Sequence, residues 1–318
     1  MAERVTGVSS CAGLQPAIPA RTRAIAAVLL GATLWGLSGT AAQQLMQVYG
    51  VQPGWLVTTR MTASGLVLLA AARWLARGSR PGAIWQDRQG RLQLLVFAIG
   101  GLLGVQYSYM ASIALGNAAT ATFLQYLGPA FVTVYEVVRL RRRPRPRESL
   151  ALLLAVVGTL LLATGGALDR LAVPAGAVAW GLFSALALAF YTLSGAELMR
   201  RWNAVVVIGW AMLIGGIGFT PLAPVWDAAG ARWNGTSLLL LAFVVVGGTL
   251  LAFTLYLTSL RHLPASQTSL LACMEPLAAA ASATLLLRVP FTAATAAGGA
   301  CILATVVLLT GTREAGGR

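Results

Sequence analysis

A chain of 318 residues that is 58% apolar and only 10% charged has too little polar surface to cover a water-soluble globule. A soluble enzyme or cytosolic binding module is excluded, and an all-α integral membrane protein is indicated. The formal charge of +14 would suggest nucleic acid in a soluble protein, but all 23 basic residues are arginines and, Arg60 apart, they gather around the ends of apolar runs, where they set topology.

Residues 1–23 are rich in small residues and proline, fit neither a secretory leader nor a span, and are expected to form a cytoplasmic tail. A spanning helix needs about 20 mostly apolar residues. That rule gives ten candidates: 24–46, 54–76, 92–115, 117–138, 148–167, 173–196, 203–223, 236–260, 264–287 and 291–311. Residues 312–318 form a second cytoplasmic tail. Cys11, Cys273 and Cys301 have no metal or redox spacing, so neither a disulfide nor a metal site is expected.

The first span contains GATLWGL (31–37), and the sixth contains GAVAWGL (176–182), which sets Trp35 and Trp180 145 positions apart. Tyr109 precedes Pro129 by 20 residues, and Tyr256 precedes Pro276 by the same 20, an offset of 147. AVVGTLLLA (155–163) is similar to the glycine-led last span, 298–309. One half is therefore a duplicate of the other, over 24–167 and 173–311. Each copy holds five spans, an odd number, so the second must enter the membrane in the opposite sense. Ten transmembrane helices in two inverted five-helix repeats are the architecture of many secondary carriers, with a site at the repeat interface near mid-membrane.

Arginines in alternate loops orient the chain. Nineteen fall on one side, including the run RLRRRPRPRE (139–148), against Arg170, Arg232 and Arg288 on the other. The arginine-rich side, with both termini, is expected in the cytoplasm.

These motifs carry a resemblance. The WG pair opening each half, Arg60 in the second span, the aromatic third span (QYSYM, 106–110), and the LGP and MEP motifs followed by a glycine-rich last span resemble the EamA family of the drug/metabolite transporter (DMT) superfamily. The likeness covers roughly residues 24–311. It implies a ten-helix carrier of small metabolites, often amino acids moved outward, with a central cavity lined by both halves. Where many members carry a glutamate near the outer end of the ninth span, this chain has Arg288, so no role of that carboxylate is transferred.

Glu275 stands directly before Pro276 in the apolar run SLLACMEPLAAAA (269–281). A carboxylate in hydrocarbon is costly and marks function. Proline removes a backbone hydrogen bond, so Pro276 is expected to kink or open its helix and Pro129 to kink its own. Thr268, Glu275 and Ser282 are seven apart and form a polar stripe. The matching position in the first half is Gly128, which makes the site asymmetric. Three roles are open to Glu275: structural partner of Arg60, contact for a cationic group of the solute, or carrier of a coupling proton. At 1.5 Å per residue, Arg60 lies roughly 8–10 Å and Glu275 roughly 13–16 Å below the outer face.

Trp35, Trp180, Tyr109 and Tyr256 are candidate walls of the pathway because each repeats between halves. Gln125 and Thr122, beside Pro129, are candidate polar handles. His262, the single histidine, falls in a cytoplasmic turn. No HExxH or GxSxG motif is present, and the lack of lysine removes the GK[ST] ending of a P-loop, so neither catalysis nor nucleotide-driven pumping is expected. The reading is a secondary transporter of the cytoplasmic membrane exporting an amino acid or related metabolite by alternating access, without cofactor. The competing reading is a membrane-embedded ligand sensor or scaffold. Expected partners are the solute, the bilayer, protons and a second copy of the chain as a homodimer, and not nucleic acid.

Overall fold

The computed structural model describes residues 20–75, 80–167 and 169–315, and these are helical with short connections and no strand. The tail residues Arg4, Cys11 and Arg318, and Arg77 of the second connection, lie outside the described residues. In chain order the helices are α1 (Ala20–Gln47), α2 (Pro53–Leu75), α3 (Arg88–Leu115), α4 (Ala118–Gln125), α5 (Gly128–Arg139) and α6 (Pro146–Thr164). They continue with α7 (Ala175–Arg201), α8 (Ala204–Phe219), α9 (Gly235–Ser259), α10 (Ala265–Ala272), α11 (Met274–Leu287) and α12 (Ala293–Ala315).

Among the described residues, eight segments are long and apolar enough to cross a membrane. Two of the ten expected spans are not among these eight, and the ninth, expected over 264–287, is broken at Cys273 into α10 and α11. The fourth, expected as one helix over 117–138, is two pieces of 8 and 12 residues, α4 and α5. The seventh, expected over 203–223, is the 16-residue α8, about 24 Å long against a hydrocarbon thickness of about 30 Å. At the tails, α1 starts at Ala20, so Arg21 and Arg23 are helical. The helix α12 continues to Ala315.

The breaks have a common cause. Pro129 and Pro276 each fall in the first turn of a new helix, where the missing N–H would have had no partner anyway. The chain therefore stops before each proline, at Tyr126–Leu127 and at Cys273, rather than bending at it. Elsewhere side chains cap the starts: Asn117 accepts from the Thr120 N–H at 2.8 Å, Asn203 from Val205 at 2.9 Å and Asn234 from Ser237 at 2.9 Å.

A second local device is shared by the halves. Phe97–Leu103 in α3 and Phe243–Leu251 in α9 are wound as π-helix, each around a glycine pair, Gly100–Gly101 and Gly247–Gly248. In the second, the Thr249 hydroxyl reaches the Val244 carbonyl at 2.9 Å, one residue farther back than an α-turn allows. Such segments commonly mark functional positions.

Packing exchanges partners between the halves. The first helix of the first half, α1, lies on α9, α10 and α11 of the second, and its counterpart α7 lies on α3, α4 and α5 of the first. The helices α2 and α8 pair with each other, as do α6 and α12. Small residues permit these approaches. A Cβ at Gly36 would sit 2.5 Å from the Glu275 carbonyl oxygen, and one at Gly181 would sit 2.6 Å from Leu124 Cδ1. The glycine of each WG pair thus seats a first helix on the broken helix of the other half. Gly158 and Gly298 do the same reciprocally between α6 and α12, each facing the other's carbonyl within 3.0 Å. Leu239, Leu285 and Leu286 are exposed, which is the surface a lipid-dissolved helix presents.

Arginine-rich connections are pinned at the helix ends. Arg142 grips Glu148 with both terminal nitrogens, at 2.7 and 2.8 Å, while Glu148 also accepts the Arg145 N–H at 2.8 Å. Arg201, ending α7, bonds Asp87, the N-cap of α3, at 2.7 Å.

Candidate functional site

The two helix breaks meet. Pro276 has no N–H to offer the Ala272 carbonyl four residues back, and that carbonyl would be orphaned inside the bundle. The Tyr126 hydroxyl, from the break in the other half, donates to it at 2.6 Å. The same hydroxyl lies 3.1 Å from Glu275 Oε2. Glu275 is half-buried. A backbone gap, an aromatic hydroxyl and an intramembrane carboxylate therefore converge where the halves cross.

Polar groups extend from this junction into the first half. The Tyr109 hydroxyl bonds Thr122 at 2.8 Å, and the Thr122 hydroxyl reaches the Ala118 carbonyl at 2.6 Å. Tyr109 also abuts α1, since a Cβ at Gly39 would lie 2.6 Å from its hydroxyl. Gln125 reaches across the repeat interface to Ser184 on α7 at 2.8 Å. Arg60 on α2 donates through Nη2 to Gln106 Oε1 at 2.6 Å, with Nη1 4.0 Å from Met110 Sδ. Arg60, Tyr109 and Glu275 are near enough to interact electrostatically, but Arg60 and Glu275 form no ion pair. Of the roles open to Glu275, the structural partnership with Arg60 is absent from this geometry.

Aromatic rings wall the cluster. Trp35 packs on Phe253 and Tyr256 with centroids at 5.1 and 5.3 Å. Trp180 packs on Tyr107 and Phe183 at 5.5 and 5.9 Å, and Tyr107 continues onto Phe219 at 5.0 Å. The repeat is imperfect here, because Trp180 meets Tyr107 whereas Trp35 meets the counterpart of Tyr109. Thr268 is fully buried and bonds the Pro264 carbonyl at 3.1 Å, so it does not extend the polar stripe from Glu275. Ser282 instead joins the halves through Thr40, at 2.7 Å.

A cavity of about 410 Å³ opens at one end of the bundle, lined by Gln43, Gln47, Asn117 and Arg288 among others. It includes none of the residues expected to line the pathway. Between it and Glu275 runs the α1–α11 seam, closed by Gly36 and by the Thr40–Ser282 bond.

Sequence reasoning passed over Gln106, Ser184 and the specific part played by Tyr126. The signal for Tyr126 was available: a hydroxyl-bearing ring at one proline break is placed, by the repeat, opposite a carbonyl freed at the other. Gln106 and Ser184 carry no such signal, since each is defined by a partner on another helix.

Two exchanged halves, facing helix breaks and charged groups within apolar spans define a polytopic membrane protein of transporter type. The EamA-like transporter family model matches residues 22–164 and 175–311, one match per half, and the chain belongs to that family. It is 35% identical over 284 residues to an uncharacterized inner membrane transporter, YicL, of Salmonella typhimurium, covering 89% of this chain and 93% of the relative. It is 25% identical over 287 residues to an uncharacterized transporter of Archaeoglobus fulgidus, covering 88% and 96% respectively. A solved crystal structure shares the fold at a TM-score of 0.61 and 20% identity, over 94% of this chain and all of that one.

Proposed function

We propose that the chain is a secondary carrier that exports a small organic metabolite, an amino acid or related compound, across the cytoplasmic membrane by alternating access. Its α4–α5 pair and α8 complete ten crossings in two inverted halves, with both termini in the cytoplasm. The observation that carries this reading is the meeting of the two breaks at Tyr126, Ala272 and Glu275. Discontinuous helices expose backbone and charge only where they line a site, and a site between two halves opens to alternate sides when the halves rock. Arginine asymmetry supports the orientation.

Counterflow in liposomes containing the purified protein tests the carrier. Labelled amino acids preloaded on one side should exchange with unlabelled ones on the other, and the response to an imposed pH gradient reports proton coupling. Saturable binding without flux would favour a sensor. Single cysteines placed in the 227–235 and 141–147 loops should label from outside and only after permeabilisation, respectively, and the reverse pattern would overturn the orientation.

A further inference from the structure

Arg60 and Gln106 are each only 5% exposed, and each retains a nitrogen without a partner: Arg60 Nε and Gln106 Nε2. The orientation of the amide is fixed by its neighbour. Gln106 Oε1 accepts from Arg60 Nη2 at 2.6 Å, and flipping the amide would set donor against donor. Both unpartnered atoms are therefore N–H donors. The remaining guanidinium contact is a thioether at 4.0 Å, a weak acceptor.

An arginine serving only structure ends differently in this molecule. Arg142 places both terminal nitrogens on the Glu148 carboxylate at 2.7 and 2.8 Å. Among the described residues Arg60 is a buried cation with no counterion within ion-pair distance, an arrangement that costs stability. What its surroundings lack is an anionic acceptor with room for two donors.

We propose that Arg60 and Gln106 form the anion-binding end of the transport site, taking the carboxylate of a small zwitterionic solute on the Arg60 Nε–H and the Gln106 Nε2–H. This rests on the carrier reading and adds the residues that select the solute. A planar two-oxygen acid matches a guanidinium edge and an adjacent amide. One negative charge balances one arginine, whereas a doubly charged phosphate would leave an excess next to Glu275. In this arrangement the solute's cationic group is left to Glu275, the carboxylate at the helix break beside Tyr126, so an anion lacking that group is repelled.

The test uses matched pairs that differ only in the carboxylate: labelled phenylalanine against phenethylamine, and leucine against isoamylamine, in counterflow with the purified full chain. The acids should exchange at least 10-fold faster than the amines. Gln106→Leu should raise the KM for the acid about 10-fold with little change in maximal rate. Arg60→Met made together with Gln106→Leu, so that no buried amide oxygen loses its donor, should abolish exchange yet melt at the same temperature as the parent or higher, because it removes an uncompensated buried charge. Equal exchange of acid and amine overturns the subsite and leaves the carrier standing. A lower melting temperature for the double variant assigns the pair to structure and also overturns it. If no probe exchanges, the amino-acid carrier reading fails, and melting decides the subsite: stabilisation by leucine that exceeds that by isoamylamine and is lost in Gln106→Leu supports it, and equal effects of the two overturn it. Equal stabilisation by chloride makes it a general anion site and overturns it.

Discussion

The two helix breaks use one backbone device and different chemistry. In the first half, Pro129 opens α5 behind Tyr126 and Gly128; in the second, Pro276 opens α11 behind Cys273 and Glu275. The first break supplies the hydroxyl and the second supplies the orphaned carbonyl and the carboxylate. A duplicated fold thus holds an unduplicated site. Symmetry is kept in the backbone of the two breaks and dropped at the side chains they bring together.

The largest expected effect comes from erasing the chemical difference. Glu275→Gln keeps the shape and removes the charge; a charged hydrogen bond is worth about 1.5–3 kcal/mol, so exchange in liposomes should fall by about 10- to 100-fold while folded protein still reaches the membrane. Undiminished exchange would reduce Glu275 to a feature of the break. Gly36→Ala comes next, because its Cβ would meet backbone atoms of α11 at 2.5 and 2.7 Å. Overpacking of that kind costs about 1–3 kcal/mol and should appear as a lower melting temperature of the purified protein. Tyr126→Phe leaves the Ala272 carbonyl without its donor, at about 1–3 kcal/mol, with exchange lowered alongside stability. Gly181→Ala should be the mildest, about 1–2 kcal/mol, because its new Cβ would meet the Leu124 side chain, at Cδ1 and Cβ, rather than backbone atoms, and alanine recovers some helix propensity. If Gly181→Ala melts below Gly36→Ala, the two first helices are not seated as described.

Much of this architecture was legible in the chain because its cause is local or repeated. The apolar runs give eight of the ten expected spans, and the 147-residue offset that relates Tyr109 to Tyr256 also relates the glycine pairs of the two π-turns. The π-turns themselves were missed, since a glycine pair in a membrane helix reads equally well as a packing contact. The break at Tyr126 was read as a kink within one helix: proline announces that hydrogen bonding fails nearby but not that the chain will end a helix three residues earlier. The site was legible only in part. Glu275 and Arg60 stand out as charges in hydrocarbon, but their partners depend on which helices become neighbours. Depth alone left a pairing open, whereas Arg60 turns to Gln106 on α3 and Glu275 to Tyr126.

The exchange of first helices sets the unit of folding. Each broken helix takes its closest first-helix partner from the other half: α1 seats on α11 and α7 on α4, each through the glycine of its WG pair. The molecule is in effect a domain-swapped pair carried on one polypeptide. Severed in the connection between α6 and α7, the fragments should be unstable apart and reassemble when made together. A five-helix half on its own would leave its first helix without the broken helix on which it packs here.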